Sequence, residues 1–472
     1  MNVRIFILVC FLSFVGLAES KAKPYKVLYV SSSIGNDSNK GDNPDNPLKT
    51  IAAALNKADT IKLKAGDVFY EHARVEKTVL TRYGNGVNPL ICGYKRIIKP
   101  NWEQVSNNVW KLDLTQDNFS GVVLSGPSMS NNIGFFHEFD KDVIHGFKHQ
   151  YLKELKQDWD FFQTEVNRKD MDPAEFNFVY LYLTNDPNQL KLELSTCNIP
   201  VELRNSTLKN VNIKGFSVGV TVFFGANIFD CRIDAIGGRS FINSKKYCCS
   251  GNGIEFWVGQ YDIKDSSVSG CYISRCYDCG ISIQGTCVDG LSPHNVIIKE
   301  NLITNCCQGW EDFLSHDDAF YDNCSFENNK VIFSGESGWG YPESRFKRCH
   351  VLQNNNHGLK GMVFKNNVFI SGNFYCSSTR DGDYSSAVWQ DNVCYIEKGK
   401  YLMGNYYGTK NVVRIPLKDG SWQKYRKEKN DAVSFYRSKV KDISTKFIVV
   451  CPKKAKRLGN RAINNFMKDH TY

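Results

Sequence analysis

Apolar and polar residues alternate along the middle third of the chain in short runs, with no helix-length apolar stripe, and the runs recur. Gly253-Ile254-Glu255-Phe256-Trp257 is followed by Gly280-Ile281-Ser282-Ile283-Gln284-Gly285 and then by Gly309-Trp310-Glu311-Asp312-Phe313. From Glu255 the steps to Gln284, Glu311 and Trp339 of Gly338-Trp339-Gly340 are 29, 27 and 28 residues. A second set of alternating runs lies at 267–273, 296–303 and 324–333, with Gly270, Asn301 and Asn328 spaced by 31 and 27 residues. Strict alternation marks strands with one buried side. A period near 28 marks a unit that can bury its apolar side only against its neighbours.

Gly and Asn stand where such a chain must turn with positive φ. The pattern therefore predicts an all-β fold, a right-handed parallel β-helix solenoid, in which equivalent residues of successive coils stack about 4.8 Å apart. Glu255, Gln284, Glu311 and Trp339 become expected neighbours on one wall. Strand 26–32 and the helical spacing of Leu48, Ile51, Ala52 and Leu55 predict an N-terminal capping helix that closes the open end. The periodicity breaks at about 128–190, read as an inserted subdomain with a helix at 153–162 and a strand at 179–183. It resumes at 201–222 and fades after Gly408. The expected organisation is a segment 1–20, a β-helix over 24–415 with that insertion, and a basic C-terminal segment at 416–472.

Composition sharpens this picture only in places. A 42% hydrophobic, 23% charged chain of 472 residues is a folded protein with a large core. Residues 1–20 carry Arg4, an apolar run at 5–18 and Ala18-Glu19-Ser20, the signature of a secretory signal peptide, so the mature protein is expected outside the cytoplasm, secreted or periplasmic. No later run is long enough to span a membrane. The net charge of +10 suits an acidic partner such as a uronate-bearing or sulfated glycan. Much of the excess falls in 439–468, read as a solvated tail, and no basic-aromatic nucleic-acid module is present. A monomer is expected. Of 17 Cys, Cys10 lies in the leader. Adjacent Cys248-Cys249 and Cys306-Cys307 point to opposite strand sides, so stacked interior thiols and disulfides stand as equal alternatives. Cys276-x-x-Cys279 lacks a second pair for zinc. Asn36, Asn118, Asn205 and Asn323 lie in glycosylation sequons.

The run GNDSNKGDNPDNPLKTIAAALNKADTIKLKAGDVFYE, with GNGIEFW, DCGISIQG and SGWG, resembles exported bacterial members of the pectate lyase superfamily of right-handed parallel β-helix proteins. The resemblance covers about 29–436, including a closing segment at 422–435. It implies a carbohydrate-active protein acting on polysaccharide, and it admits both hydrolases and lyases on one scaffold. Asp317-Asp318 is similar to the paired Asp of β-helix polygalacturonases, but the accompanying Gly-His-Gly motif of that group is absent.

Hydrolysis of a glycosidic bond needs a carboxylic acid and a second carboxylate. Glu255 and Glu311, two coils apart, would stand about 9–10 Å apart at the backbone, nearer the separation of inverting enzymes than of retaining ones. Asp278 beside the intervening coil is the third candidate carboxylate. Trp257, Trp310, Trp339 and Tyr341, with Gln284, are the expected sugar-contacting residues, because aromatic faces pack against sugar rings. A hydrolase of this kind calls for no metal or cofactor. The alternative, a lyase acting on a uronate, would use a base and a cation. Arg345 and His350, with Lys360 behind them, are its candidates, and Ca²⁺ could then sit among Asp312, Asp317, Asp318 and Asp322. A third alternative is a glycan-binding solenoid without catalysis.

Overall fold

The computed structural model describes residues 25–470 and Tyr472, apart from 116–118, 122–131, 165–171, 197–200, 244–245, 317, 336–348, 354–358, 379–386, 399, 406–407, 415–429 and single positions between 431 and 443. The leader, Trp339, Tyr341 and Arg345 therefore lie outside the described residues.

The chain is a parallel β-helix whose coils each contribute strands to three faces. In the central coil the first face takes Ile254–Trp257, the second Ile263–Ser269 and the third Tyr272–Cys276. The next coil repeats this with Cys279–Gly285, Pro293–Lys299 and Leu302–Thr304, and the one after with Gln308–Leu314, Cys324–Glu327 and Lys330–Ser334. Each strand pairs in parallel with its counterpart one coil away. The runs read as single strands at 267–273 and 296–303 are bends, each split between two faces. Gly270, Glu300, Asn328 and Asn366 take positive φ at those corners, a conformation that turns the chain within one residue.

Alternation fills the interior. Ile254, Phe256, Ile281, Ile283 and Trp310 from the first face meet Val268, Ile298 and Phe326 from the second and Ile273, Ile303 and Val331 from the third, all fully buried. Just inside the corner between second and third faces, Asn301, Asn329, Asn367 and Asn392 form a ladder. Each of the first three donates its backbone N–H to the next side-chain oxygen, at 3.0, 2.9 and 2.9 Å. Their side-chain amides donate to backbone carbonyls one coil back, so no buried amide is wasted at a turn that forfeits ladder bonds. Cys231 and Cys271 fill the same interior position in earlier coils. Cys231, Cys271, Cys276, Cys306, Cys324, Cys376 and Cys394 are buried free thiols, which settles the alternatives for them: they fill the interior as small apolar groups. Cys451 is exposed.

The helix predicted near the N-terminus is one turn, Ile51–Ala54, with Thr50 as its cap. Asp37 accepts from the Lys49 and Thr50 backbone N–H groups and the Thr50 hydroxyl, so the acidic loop is tied up as a brace. The non-solenoid strands begin earlier than the break in periodicity. Two five-stranded sheets draw on Tyr94–Ile97, Glu103–Ser106 and Val109–Asp113 as well as on later strands up to Leu192–Thr196. Where a helix was expected at 153–162 there is a single 3₁₀ turn, Leu152–Glu154, followed by a strand, Asp160–Gln163.

The outer side of the third face is covered twice. In early coils the inserted sheets dock through charge. Arg275 donates to Asp234 (2.7 Å) and Asp142 (3.0 Å), and His137 bridges Asp142 and Glu193, both at 3.0 Å. Burial would raise the Asp234 carboxyl, but the Arg275 guanidinium holds it well below the usual range. In later coils Pro452–Asp469 lies on Leu302, Ile332 and Ile370 through Phe466. Residues 452–469 of the basic C-terminal segment are thus not a solvated tail but an amphipathic helix whose apolar side closes the solenoid wall. Among the described residues no helix is long and apolar enough to cross a membrane.

Candidate functional site

On the first face, backbone register stacks Glu202, Thr221, Glu255, Ser282, Glu311 and Leu352 in one outward column. Glu255 and Glu311 share a wall two coils apart, with Ser282 between them. Gln284 is not in that column. It is level with Trp257 and Phe313 in the next outward column, and from there it reaches back: its amide donates to Glu255 Oε2 at 2.8 Å. The same oxygen accepts from the Asn252 amide at 2.8 Å. Ser282 Oγ in turn donates to Gln284 Oε1 at 2.9 Å, orienting that amide.

The two columns differ in access. Thr221, Ser282 and Glu311 are buried, Glu311 at 3% exposure. Glu255, Trp257, Gln284 and Phe313 are partly exposed. The expectation of two open carboxylates therefore holds for Glu255 alone, which stands where the buried acidic column meets an accessible strip of two aromatic rings and an amide. Gly253 is needed beside it, since a Cβ there would lie 2.7 Å from the Gly280 carbonyl of the next coil.

The surroundings strip water from the Glu255 carboxyl and push it up to about 7. The Asn252 hydrogen bond opposes this, and the negative charge of Asp278 adds to it. Asp278, 8% exposed, precedes Cys279–Gly285 and receives the Gln308 N–H on its backbone carbonyl at 2.8 Å. A carboxyl that is half protonated near neutrality can give up a proton to a leaving group.

Other candidates fall elsewhere. Trp310 is fully buried in the solenoid interior, edge-on to Phe364 with centroids 5.2 Å apart, so it cannot meet a sugar. Parity dictates this: neighbours in a strand face opposite sides, and with Glu311 outward Trp310 must point in. His350 is 2% exposed in the first-face strand Cys349–Gln353, its Nδ1 2.9 Å from Ser334 Oγ at the end of a third-face strand. Burial lowers it to about 3, so it is a sequestered neutral imidazole and not a base in the wall. Asp312 points inward and accepts from the Tyr321 hydroxyl, and Asp322 pairs with His294 at 3.1 Å. Among the described residues no three metal-ligating side chains converge. Asn252, Ser282 and Phe313 were missed by sequence reasoning. Ser282 and Phe313 lie at outward positions of the repeated strands, and that parity was the available signal.

No protein-family model matches the chain, and no curated protein matches it. Among solved structures it is similar to the complex of XylC with xylose, at TM-score 0.49 and 12% identity over 80% of this chain and 66% of that one. A structure described as a glycoside hydrolase aligns at TM-score 0.43 and 11% identity, over 80% of this chain and 94% of that one. The lacto-N-biosidase of family GH136 from Eubacterium ramulus aligns at TM-score 0.41 and 13% identity, over 90% and 68%. Likeness at this level decides nothing about the site, which rests on its own geometry.

Proposed function

We propose that the protein is an exported glycoside hydrolase acting on a polysaccharide, with Glu255 as general acid and Glu311 as second carboxylate. One observation carries this reading: a carboxyl raised to about 7 stands at the edge of an accessible strip containing Trp257, Gln284 and Phe313. Trp257 and Phe313 offer ring faces to the sugar. Glu255 delivers its proton to the glycosidic oxygen as the bond to the anomeric carbon breaks. A water attacks that carbon from the other side; Glu311, although only 3% exposed, is the carboxylate two coils along the same column that would take its proton. The two-coil spacing, about 9–10 Å between backbones, leaves room for that water and predicts inversion at the anomeric centre. Asn252 and Gln284 position the acid, and its desolvation, helped by the negative charge of Asp278, keeps it protonated.

The test is product analysis on a polysaccharide panel. New reducing ends without the ultraviolet absorbance of an unsaturated sugar are expected. Absorbance that requires Ca²⁺ would replace the hydrolase with a lyase. Glu255→Gln and Glu311→Gln should each abolish turnover while glycan binding persists. Turnover retained by both variants would remove the assignment.

A further inference from the structure

We infer that the exposed side of the C-terminal helix, Pro452–Asp469, is a binding rail for an anionic polysaccharide, separate from the Glu255 wall. The helix is anchored through one side only. Ala455, Gly459 and Phe466 are buried against the third face, and a Cβ on Gly459 would come within 2.4 Å of the Phe333 ring. Downstream, the Tyr472 hydroxyl donates to the Gly270 carbonyl at 2.5 Å. At about 100° per residue, Lys453, Arg457, Arg461 and Lys468 fall within roughly a quarter turn of one another, opposite the buried side. Lys454 flanks that stripe.

All five are exposed. Among the described residues none of them pairs with a carboxylate, and Asp469 is the helix's one acid. The cations run over roughly 22 Å, with the first three about 6 Å apart, on a support that does not need to fold on binding. This is a rigid row of positive charge, and it suits an extended, repeating polyanion.

The rest of the exposed surface narrows the class. Between the cations stand Asn460, Asn464 and Asn465, amides that can bond sugar hydroxyls. Apart from Pro452 in its first turn, the helix has no exposed apolar side chain to enter a lipid layer. No exposed aromatic ring is present to stack a nucleobase. An anionic glycan, whose carboxylates or sulfates alternate with hydroxyls, is the partner that uses both residue types.

Binding of the full-length protein to polygalacturonate would be measured at several salt concentrations, with dextran, duplex DNA and phosphatidylserine vesicles as comparison ligands. A Glu255→Gln background prevents digestion from being read as weak binding, and the test therefore stands whether or not the hydrolase assignment does. Polygalacturonate should bind in preference to all three. The quadruple variant Lys453→Gln, Arg457→Gln, Arg461→Gln, Lys468→Gln should bind at least tenfold more weakly with a shallower salt dependence. Its thermal midpoint should match the parent, since none of the four is buried. Exchanging the two arginines for lysine should retain most of the affinity. Equal binding by the quadruple variant, or tighter binding of dextran, DNA or vesicles, would overturn the inference.

Discussion

At matching coils the third face presents Tyr272, Leu302 and Ile332 outward, and the first face presents Glu255, Ser282 and Glu311. The first three lie against or beside the C-terminal helix as an apolar cluster. Their burial is a gain of about 1.5–3 kcal/mol for each large side chain removed from water. Burying Glu311 and desolvating Glu255 is a cost, because a carboxyl taken from water must be hydrogen-bonded or neutralised. Identical backbone geometry is thus finished in one place for cohesion and in the other against it. Ionisable groups held at such a cost concentrate where chemistry is done.

The contrast yields predictions, and the largest concerns rate. Glu255→Gln keeps both hydrogen-bonding partners and the shape of the wall but removes the transferable proton. Hydrolysis should fall about 10²–10⁴-fold, measured as reducing ends released, and thermal stability should not fall. A stability loss with activity intact would reverse the roles of the two faces. Next comes Phe466→Ala on the third face, expected to lower unfolding free energy by about 3 kcal/mol, read from denaturant titration, while kcat stays near wild type. Smaller again, Trp257→Ala should raise KM about tenfold, equivalent to roughly 1.4 kcal/mol, with little change in kcat, as expected when uniform binding is removed.

Much of this architecture was legible because parity and period are independent signals. Residues 56 positions apart, Glu255 and Glu311, come out level, since the departures from a fixed period cancel over two coils. Gln284 was placed two residues off, with Ser282 taking its place, because alternation fixes the side of a strand but cannot separate position i from i+2. Trp310 could have been assigned to the interior by the same parity. His350 could not, because it lies within the first-face strand Cys349–Gln353 and is buried by Ser334 and Phe369 of the third face, contacts that parity within its own strand does not encode. The C-terminal helix was obscured by its composition: the residues buried on its inner side, Ala455, Gly459 and Phe466, include two small ones, Leu458 and Ile463 only flank them, and basic residues dominate the sequence around them. Burial of Glu311 depends on what packs over the wall, which neither period nor parity encodes.

The central claim, that Glu255 is a proton donor near neutral pH, is tested most directly by following its side-chain carboxyl carbon by NMR across pH in labelled protein. The raised group binds a proton in the folded state that the unfolded chain releases near its ordinary value. Its contribution to stability is therefore fully present below the ordinary carboxylate range and is lost as pH rises toward 7. One carboxyl resonance should titrate near 7, vanish in Glu255→Gln, and move to lower pH in Asp278→Asn, where a neighbouring negative charge is gone. A Glu255 resonance titrating in the ordinary carboxylate range, unmoved by Asp278→Asn, would contradict the account.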